Sequence, residues 1–366
     1  MKRILIKATG LRPLGNNEYR SGIPRSNVEL LKAMIALNDP EIHLAVYSPS
    51  LKNPFYYCQD WPIEHHWYGL PGLKYHCRLE TWWRQHLMGN HDLLHLTENA
   101  DYFGEKEKFV VTIHDTDMMK ESEFYEGLFR NCASAAQAIV TCSEFSKNDI
   151  IEKLNVPEYK VTAIPWGISK DLFYPRSISL IEKIKNKYNI KGDFFFACSC
   201  QKPRKNLDII LEAFSLFSEV NDDVSLVVAI NSLKAEYAVK YSSLISEGRI
   251  KMINFVSDED LATLYSGALS SILVSSLEGF GFPILESMAC GTNCICCKNS
   301  SMEEIGLNKA YYVKERDAED LASAFLYFVK NGKSNRMELI NYASSFTWEK
   351  TAKRYLEFYK IYSNLD

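Results

Sequence analysis

Short apolar runs of strand length alternate along the chain with longer stretches whose apolar residues recur at helical spacing. In the first half the runs are Ile4-Leu5-Ile6, Leu44-Ala45-Val46-Tyr47, Phe109-Val110-Val111-Thr112-Ile113, Ala138 to Cys142 and Val161 to Ile164. Continuous apolar runs this short read as buried strands. Between them, Val28, Leu31 and Ile35 share one face of a helix expected from Ser26 to Leu37. Ser143 stands where it would cap a second helix, from Glu144 towards Leu154. Strands that alternate with helices predict a parallel sheet covered on its faces.

The alternation breaks at Pro165-Trp-Gly-Ile-Ser-Lys-Asp-Leu-Phe-Tyr-Pro175, where two prolines and a glycine mark a linker. It restarts with Phe194 to Cys198, a helical stretch from Leu207 to Phe217, then Val224 to Ala229, Lys251 to Phe255, Ser271 to Val274 and Asn293 to Cys297. Near the end, Ala352, Tyr355, Leu356, Tyr359 and Ile361 give Trp348 to Tyr362 an amphipathic helical pattern. The fold class expected is α/β: two doubly wound, Rossmann-like domains, residues 1–168 and 169–345, followed by a terminal helical segment, 346–366. Two such domains facing each other would gather strand carboxyl ends and helix N-termini at a cleft suited to a nucleotide-bearing ligand.

Composition narrows the class. With 366 residues, 46% of them hydrophobic, the chain is long enough for two cores. A net charge of -4 gives no global attraction for nucleic acid. The first apolar run is too short for a signal peptide or a spanning helix, and no later run approaches a membrane span, so a soluble or peripheral protein is expected, and the scattered cysteines point to a reducing compartment, the cytoplasm. The ten cysteines lack the spacing of a disulfide scaffold. Cys294 and Cys297 form a Cys-x-x-Cys inside an apolar run, and are read as small hydrophobes in a buried strand rather than as a metal or redox pair.

The chemistry concentrates in two segments of the second half. Ser276-Leu-Glu-Gly-Phe-Gly-Phe-Pro-Ile-Leu-Glu-Ser-Met-Ala-Cys-Gly291 should leave a strand, turn through glycines and enter a helix. That geometry aims backbone N–H groups at an anion, with Glu278 in the loop and Glu286 in the helix as acceptors for hydroxyl groups. Gln201-Lys-Pro-Arg-Lys-Asn-Leu207 places Arg204 and Lys205 ahead of another helix, where a basic pair suits a diphosphate. Acidic residues at a helix start also satisfy the helix dipole, and a lone basic pair is commonly a solvated surface feature. It is the combination that carries information.

The Glu278 to Glu286 string resembles the Glu-x7-Glu signature of the family-4 retaining glycosyltransferases, enzymes of the GT-B fold. Further similarities lie in Ser21-Gly-Ile-Pro-Arg25, Val140 to Lys147, Pro165 to Ile168, Pro203 to Asn206 and Val256 to Tyr265. The resemblance implies that Glu278 contacts hydroxyls of the transferred sugar and that Gly279, Phe280, Gly281 and Phe282 line sugar and phosphates. It further implies that Glu286 holds the ribose and that Arg204 and Lys205 neutralise the leaving diphosphate. Gly22 and Arg25 would lie over the donor phosphates in a loop after the first strand, with Val256 and Leu261 near base and ribose. The C-terminal helix would cross back to the first domain. His114, expected at a strand's carboxyl end, matches a family histidine near the transferred sugar. His95-Leu-Thr-Glu-Asn99 with Thr112-Ile-His-Asp115 resembles the branch containing O-antigen mannosyltransferases, which makes GDP-mannose the first donor choice.

These implications amount to a hexosyltransferase of surface polysaccharide or glycoconjugate synthesis, using a nucleotide diphosphate sugar as substrate and no cofactor. Asp115-Thr-Asp117 spells an Asp-x-Asp, but Arg204, Lys205 and a helix dipole already offer positive charge to the diphosphate. No metal is therefore expected, and Asp115 is assigned to its loop or to an acceptor. Residues 56–91 hold four of the six tryptophans, interleaved with Lys74, Arg78 and Arg84. Trp82 and Trp83 there suit a glycan or lipid-linked acceptor; contact with the inner face of the plasma membrane and plain core packing are the other readings. Two further functions stay open. One is a degenerate GT-B binding or scaffold subunit, suggested by Ser199 and Asn293 at positions where the family commonly has glycine and proline. The other is a sugar-nucleotide 2-epimerase.

Overall fold

The computed structural model describes residues 1–8, 22–49, 60–68, 89–98, 108–198, 202–230, 232–254, 256–333 and 335–364. The chain divides into two compact units, one formed by 1–167 with 347–366 and the other by 168–346.

The first unit runs β1 (Lys2–Lys7), α1 (Gly22–Leu37), β2 (Ile42–Pro49), β3 (Glu64–Tyr68), β4 (Leu93–Leu96), β5 (Phe109–Thr112), α2 (Glu123–Ala135), β6 (Ala138–Thr141), α3 (Glu144–Leu154) and β7 (Val161–Ala163). Among the described residues its sheet is seven-stranded and parallel, in the order β3-β2-β1-β4-β5-β6-β7. The core on one face gathers Leu5, Tyr47, Leu94, Val111 and Ile139 against Phe129 of α2 and Ile150 of α3, all buried. Ser143 caps α3 as the sequence predicts, accepting a hydrogen bond of 3.0 Å from the Ser146 N–H.

The second unit runs α4 (Ile178–Tyr188), β8 (Phe194–Cys198), α5 (Leu207–Ser218), β9 (Ser225–Ala229), α6 (Ala235–Lys240), α7 (Ser242–Ser246), β10 (Ile250–Ile253), α8 (Asp258–Gly267), β11 (Ser271–Leu273), α9 (Phe282–Ala289), β12 (Cys294–Cys297), α10 (Ser300–Gly306), β13 (Tyr311–Val313), α11 (Ala318–Asn331) and α12 (Arg336–Ser344). Its six described strands are parallel, in the order β10-β9-β8-β11-β12-β13. Phe195 of β8 packs on Phe217 of α5 and Phe325 of α11, with ring centroids 5.9 and 4.5 Å away. Aromatic residues at strand and helix positions thus fuse sheet and helices into one core.

The chain leaves the first unit after Gly167 and re-enters it at Thr347, where α13 (Trp348–Ser363) begins. That helix packs against α1, β1 and β4. A Cβ on Gly167 would lie 2.2 Å from the Trp348 backbone nitrogen, so only glycine permits the two passing segments to touch. Beside it the Ile168 N–H donates to the Phe346 carbonyl at 3.1 Å. Among the described residues no helix is long and apolar enough to cross a membrane.

Several expectations change. The first helix starts at Gly22, not Ser26, so Gly22 to Arg25 form its first turn instead of a loop. Proline is compatible with that turn, because the leading N–H groups have no intrahelical acceptor and the ring presets a helical φ. Strand β3 escapes the hydrophobic pattern because its sequence, Glu-His-His-Trp-Tyr, is that of a polar edge strand. Strand β4 escapes it because His95 interrupts a four-residue run, although all four residues are buried. Cys294 and Cys297 do lie in a buried strand. Three positions apart, they project to opposite faces of the sheet, and burial pushes the Cys297 thiol up to about 12.

Candidate active site

In the second unit the strand order reverses direction between β8 and β11. The loops that follow these two neighbouring strands therefore diverge, which is where open α/β sheets form their crevices. Those loops carry the basic pair and Glu278.

After β8 the chain makes a 3-10 turn over Pro203–Lys205 and places Asn206 in the left-handed region, φ 48°, before α5. Asparagine tolerates that conformation better than most residues. Its buried side chain then joins the two loops. Asn206 Nδ2 donates to the Val274 carbonyl at 2.8 Å and to Ser276 Oγ at 3.1 Å, while Oδ1 accepts from Arg316 Nη1 at 2.8 Å. The Ser276 N–H adds a backbone bond of 2.8 Å to the Arg204 carbonyl.

So fixed, the basic pair meets Glu278 directly. Lys205 Nζ donates to Glu278 Oε1, Arg204 Nη1 lies 3.6 Å from Oε2, and the same guanidinium donates to the Leu277 carbonyl. Glu278 is only 8% exposed. Burial pushes its carboxyl pKa up, but the Lys205 and Arg204 charges outweigh burial and the net displacement is downward. Its backbone is held separately: the Glu278 N–H donates to Ser300 Oγ at 3.2 Å and Ser301 Oγ donates to the Glu278 carbonyl at 2.8 Å.

Beyond Glu278, Gly279 and Gly281 are buried and Phe280 stacks edge-on against Phe282, centroids 5.1 Å apart. Gly281 caps α9 with φ 95°, a conformation that makes glycine the natural residue there. Glu286, inside α9 and 4% exposed, accepts a hydrogen bond of 3.1 Å from the Tyr265 hydroxyl on α8. Val256 and the buried Leu261 belong to a different connection, from β10 into α8, whose helix Ser257 caps.

In the first unit His114 follows β5 by two residues, at the carboxyl end foreseen for it. It is 3% exposed, its Nε2 lies 3.0 Å from the Thr97 carbonyl, and its ring centroid is 5.2 Å from that of Trp166. Burial lowers its pKa to about 4, so the imidazole is neutral at physiological pH. Asp115 closes the next turn by accepting from the Asp117 N–H at 3.1 Å. Gly22 is exposed at the tip of α1 and Arg25 half-buried one turn-length behind it. Trp82 and Trp83 lie outside the described residues, as do Ser199 and most of residues 56–91.

The structure thus brings together Arg204, Lys205 and Glu278, and sets Glu286 in the helix that follows. Sequence reasoning gave no individual role to Asn206 or Tyr265, although both lie in segments similar to the family, and it did not single out Ser300, Ser301 or Arg316. Asn206 had a signal, an Asx residue between a basic turn and a helix; the others act through long-range contacts that no local pattern encodes.

Two family models match: Glycosyltransferase Family 4 over residues 20–172, and Glycosyl transferases group 1 over residues 181–346. O-antigen chain mannosyltransferase B of Escherichia coli is 24% identical over 286 residues, covering 70% of this chain and 71% of that protein. The serotype-specific mannosyltransferase WbdA of Escherichia coli is 25% identical over 278 residues; the match covers 72% of this chain but 32% of that longer protein. Among solved structures, the Thermosynechococcus elongatus sucrose-phosphate synthase superposes with a TM-score of 0.75 at 16% identity over 99% of both chains. Anabaena HepE, solved in complex with UDP and glucose, superposes with a TM-score of 0.76 at 17% identity over 99% of this chain and 100% of its own. These likenesses establish a shared fold of two Rossmann-like parallel-sheet domains.

Proposed function

Because the chain belongs to the family-4 glycosyltransferases, we propose that it moves a hexose, mannose before others, from a nucleoside diphosphate sugar to a hydroxyl of a glycan or lipid-linked acceptor. The observation that carries this reading is the convergence of Arg204 and Lys205 on Glu278 at the point where the strand order reverses. Breaking a sugar–phosphate bond leaves a highly anionic diphosphate and an electron-poor anomeric carbon, so positive charge held in place does most of the catalytic work. Arg204 and Lys205 supply it, and the N–H groups around Gly279 to Phe282 extend it. Glu278 orients hydroxyls of the transferred sugar, Glu286 binds the ribose, and Gly22 and Arg25 are assigned to the donor phosphates.

Transfer retains the anomeric configuration: the acceptor hydroxyl attacks from the face the diphosphate leaves, and a phosphate oxygen takes its proton. His114, neutral, serves the sugar as a hydrogen-bonding group, and Asp115, Trp82 and Trp83 belong to the acceptor side. The O-antigen mannosyltransferases among the relatives support mannose and a role in surface polysaccharide synthesis. A place of action in the cytoplasm, at the inner face of the plasma membrane, belongs to the proposal.

A panel of GDP- and UDP-sugars tests this, read by donor hydrolysis and by transfer to lipid-linked oligosaccharide. Turnover is expected with GDP-mannose above the other donors and unchanged by EDTA. Glu278→Ala and Lys205→Ala should each cut transfer by about a thousandfold or more, the scale of losing a transition-state contact, with unaltered circular dichroism. Wild-type turnover in both variants, or no binding of any donor, would overturn the proposal.

A further inference from the structure

This inference rests on the proposed function, in that it takes Arg204, Lys205 and Glu278 as parts of one donor site. A single carboxylate spans both members of the basic pair, and the three side chains are 20%, 16% and 10% exposed, respectively. Water and salt therefore screen the contacts weakly. The two cations are also the groups assigned to the diphosphate. A phosphate oxygen that reaches Lys205 contends with Glu278 Oε1 for the same ammonium, and does so next to a carboxylate that its neighbours hold ionised.

We propose that Glu278, besides orienting the sugar, is an internal counter-ion that competes with the diphosphate for Lys205 and Arg204 and so hastens release of the nucleoside diphosphate product. The charge arithmetic favours product over donor as the species affected. In the donor the outer phosphate is an ester; after transfer it is a terminal phosphate that, once the proton taken from the acceptor has passed to water, carries additional negative charge, so a fixed carboxylate repels the product more strongly. A role confined to holding the loop fits less well. The Glu278 backbone is already anchored to Ser300 and Ser301, and the two loops are already tied by Asn206 and by the Ser276–Arg204 backbone bond.

The experiment is calorimetric binding of GDP and UDP to the wild type, Glu278→Gln, Lys205→Met and the double variant, with thermal unfolding as a check on folding. Glu278→Gln is expected to bind the preferred nucleoside diphosphate roughly tenfold tighter, the scale set by one nearby unit charge at an interfacial dielectric, and to dissociate correspondingly more slowly. Lys205→Met should bind more weakly, and in its background Glu278→Gln should bring a much smaller gain, because the contested ammonium is gone. Should the glutamine variant fail to fold, Glu278→Ser removes the same charge in a smaller side chain. Unchanged or weaker binding by the neutral variant, alongside measurable wild-type binding, overturns the counter-ion role and leaves the donor site standing. Absence of any wild-type nucleotide binding overturns the donor site, and this inference with it.

Discussion

Tyr265 shows how one hydroxyl can matter without touching a substrate. It is buried among Phe173 and Phe196, and its O–H donates to Glu286, so the carboxylate proposed to hold the ribose has a fixed orientation. Tyr265→Phe keeps the ring packing and deletes the donor, leaving a buried carboxylate short of a hydrogen bond; such losses cost about 1–3 kcal/mol. The expected result is a donor KM raised roughly tenfold with kcat little changed. A 2′,3′-dideoxyribose donor should show almost no difference between wild type and variant. Equal loss with both donors would assign Tyr265 to packing alone. Glu278 was legible from its string, and Lys205 and Arg204 from their register with it. Tyr265 was not, because its partner lies 21 residues away across a helix pair.

At the scale of elements, the two site-bearing loops are tied by Asn206, which meets Val274, Ser276 and Arg316. Asn206→Ala removes these bonds and places an alanine at φ 48°, so a destabilisation of about 2–4 kcal/mol is expected from lost buried hydrogen bonds and backbone strain. Chemical denaturation measures it, and Asn206→Gly, which restores the backbone freedom but not the side chain, should recover only the strain component. The strands were readable because parallel sheets are buried on both faces and leave continuous apolar runs. Boundaries and edge strands were not: α1 gained a turn through Pro24, and β3, at the sheet edge, carries no apolar run at all.

At the scale of the whole molecule, two buried histidines make stability depend on pH. His95 is 1% exposed and bridges Tyr359 of α13, at 2.6 Å, to Thr112 of β5, at 2.8 Å. Burial lowers its pKa to about 3, as it lowers that of His114 to about 4. Both values lie below the ordinary 6.5, so neutral imidazole is the form that folding favours. Their contribution is complete above about pH 6.5 and is lost as pH falls towards the folded values, with a slope of about 1.4 kcal/mol per pH unit for each histidine. Thermal unfolding should be nearly flat from pH 7 to 8 and decline below 6.5; His95→Gln should make that decline shallower. An unchanged profile in this variant would remove His95 from the account. The doubly wound architecture was visible from alternation alone, whereas this bridge joins residues 264 positions apart and has no sequence signature.

Gly167 has one more consequence. Because the outgoing and returning segments touch there, with Ile168 bonded to Phe346, the stretch 168–346 begins and ends at the same place. It is a closed loop of sequence spliced into the first unit at a single point. A segment of that kind can be exchanged for its counterpart from a relative without stretching the host chain. On the proposed assignment of the donor to 168–346 and the acceptor to the host unit, chimaeras joined at this seam should take the donor preference of the parent that supplies 168–346, which a panel of nucleotide sugars measures.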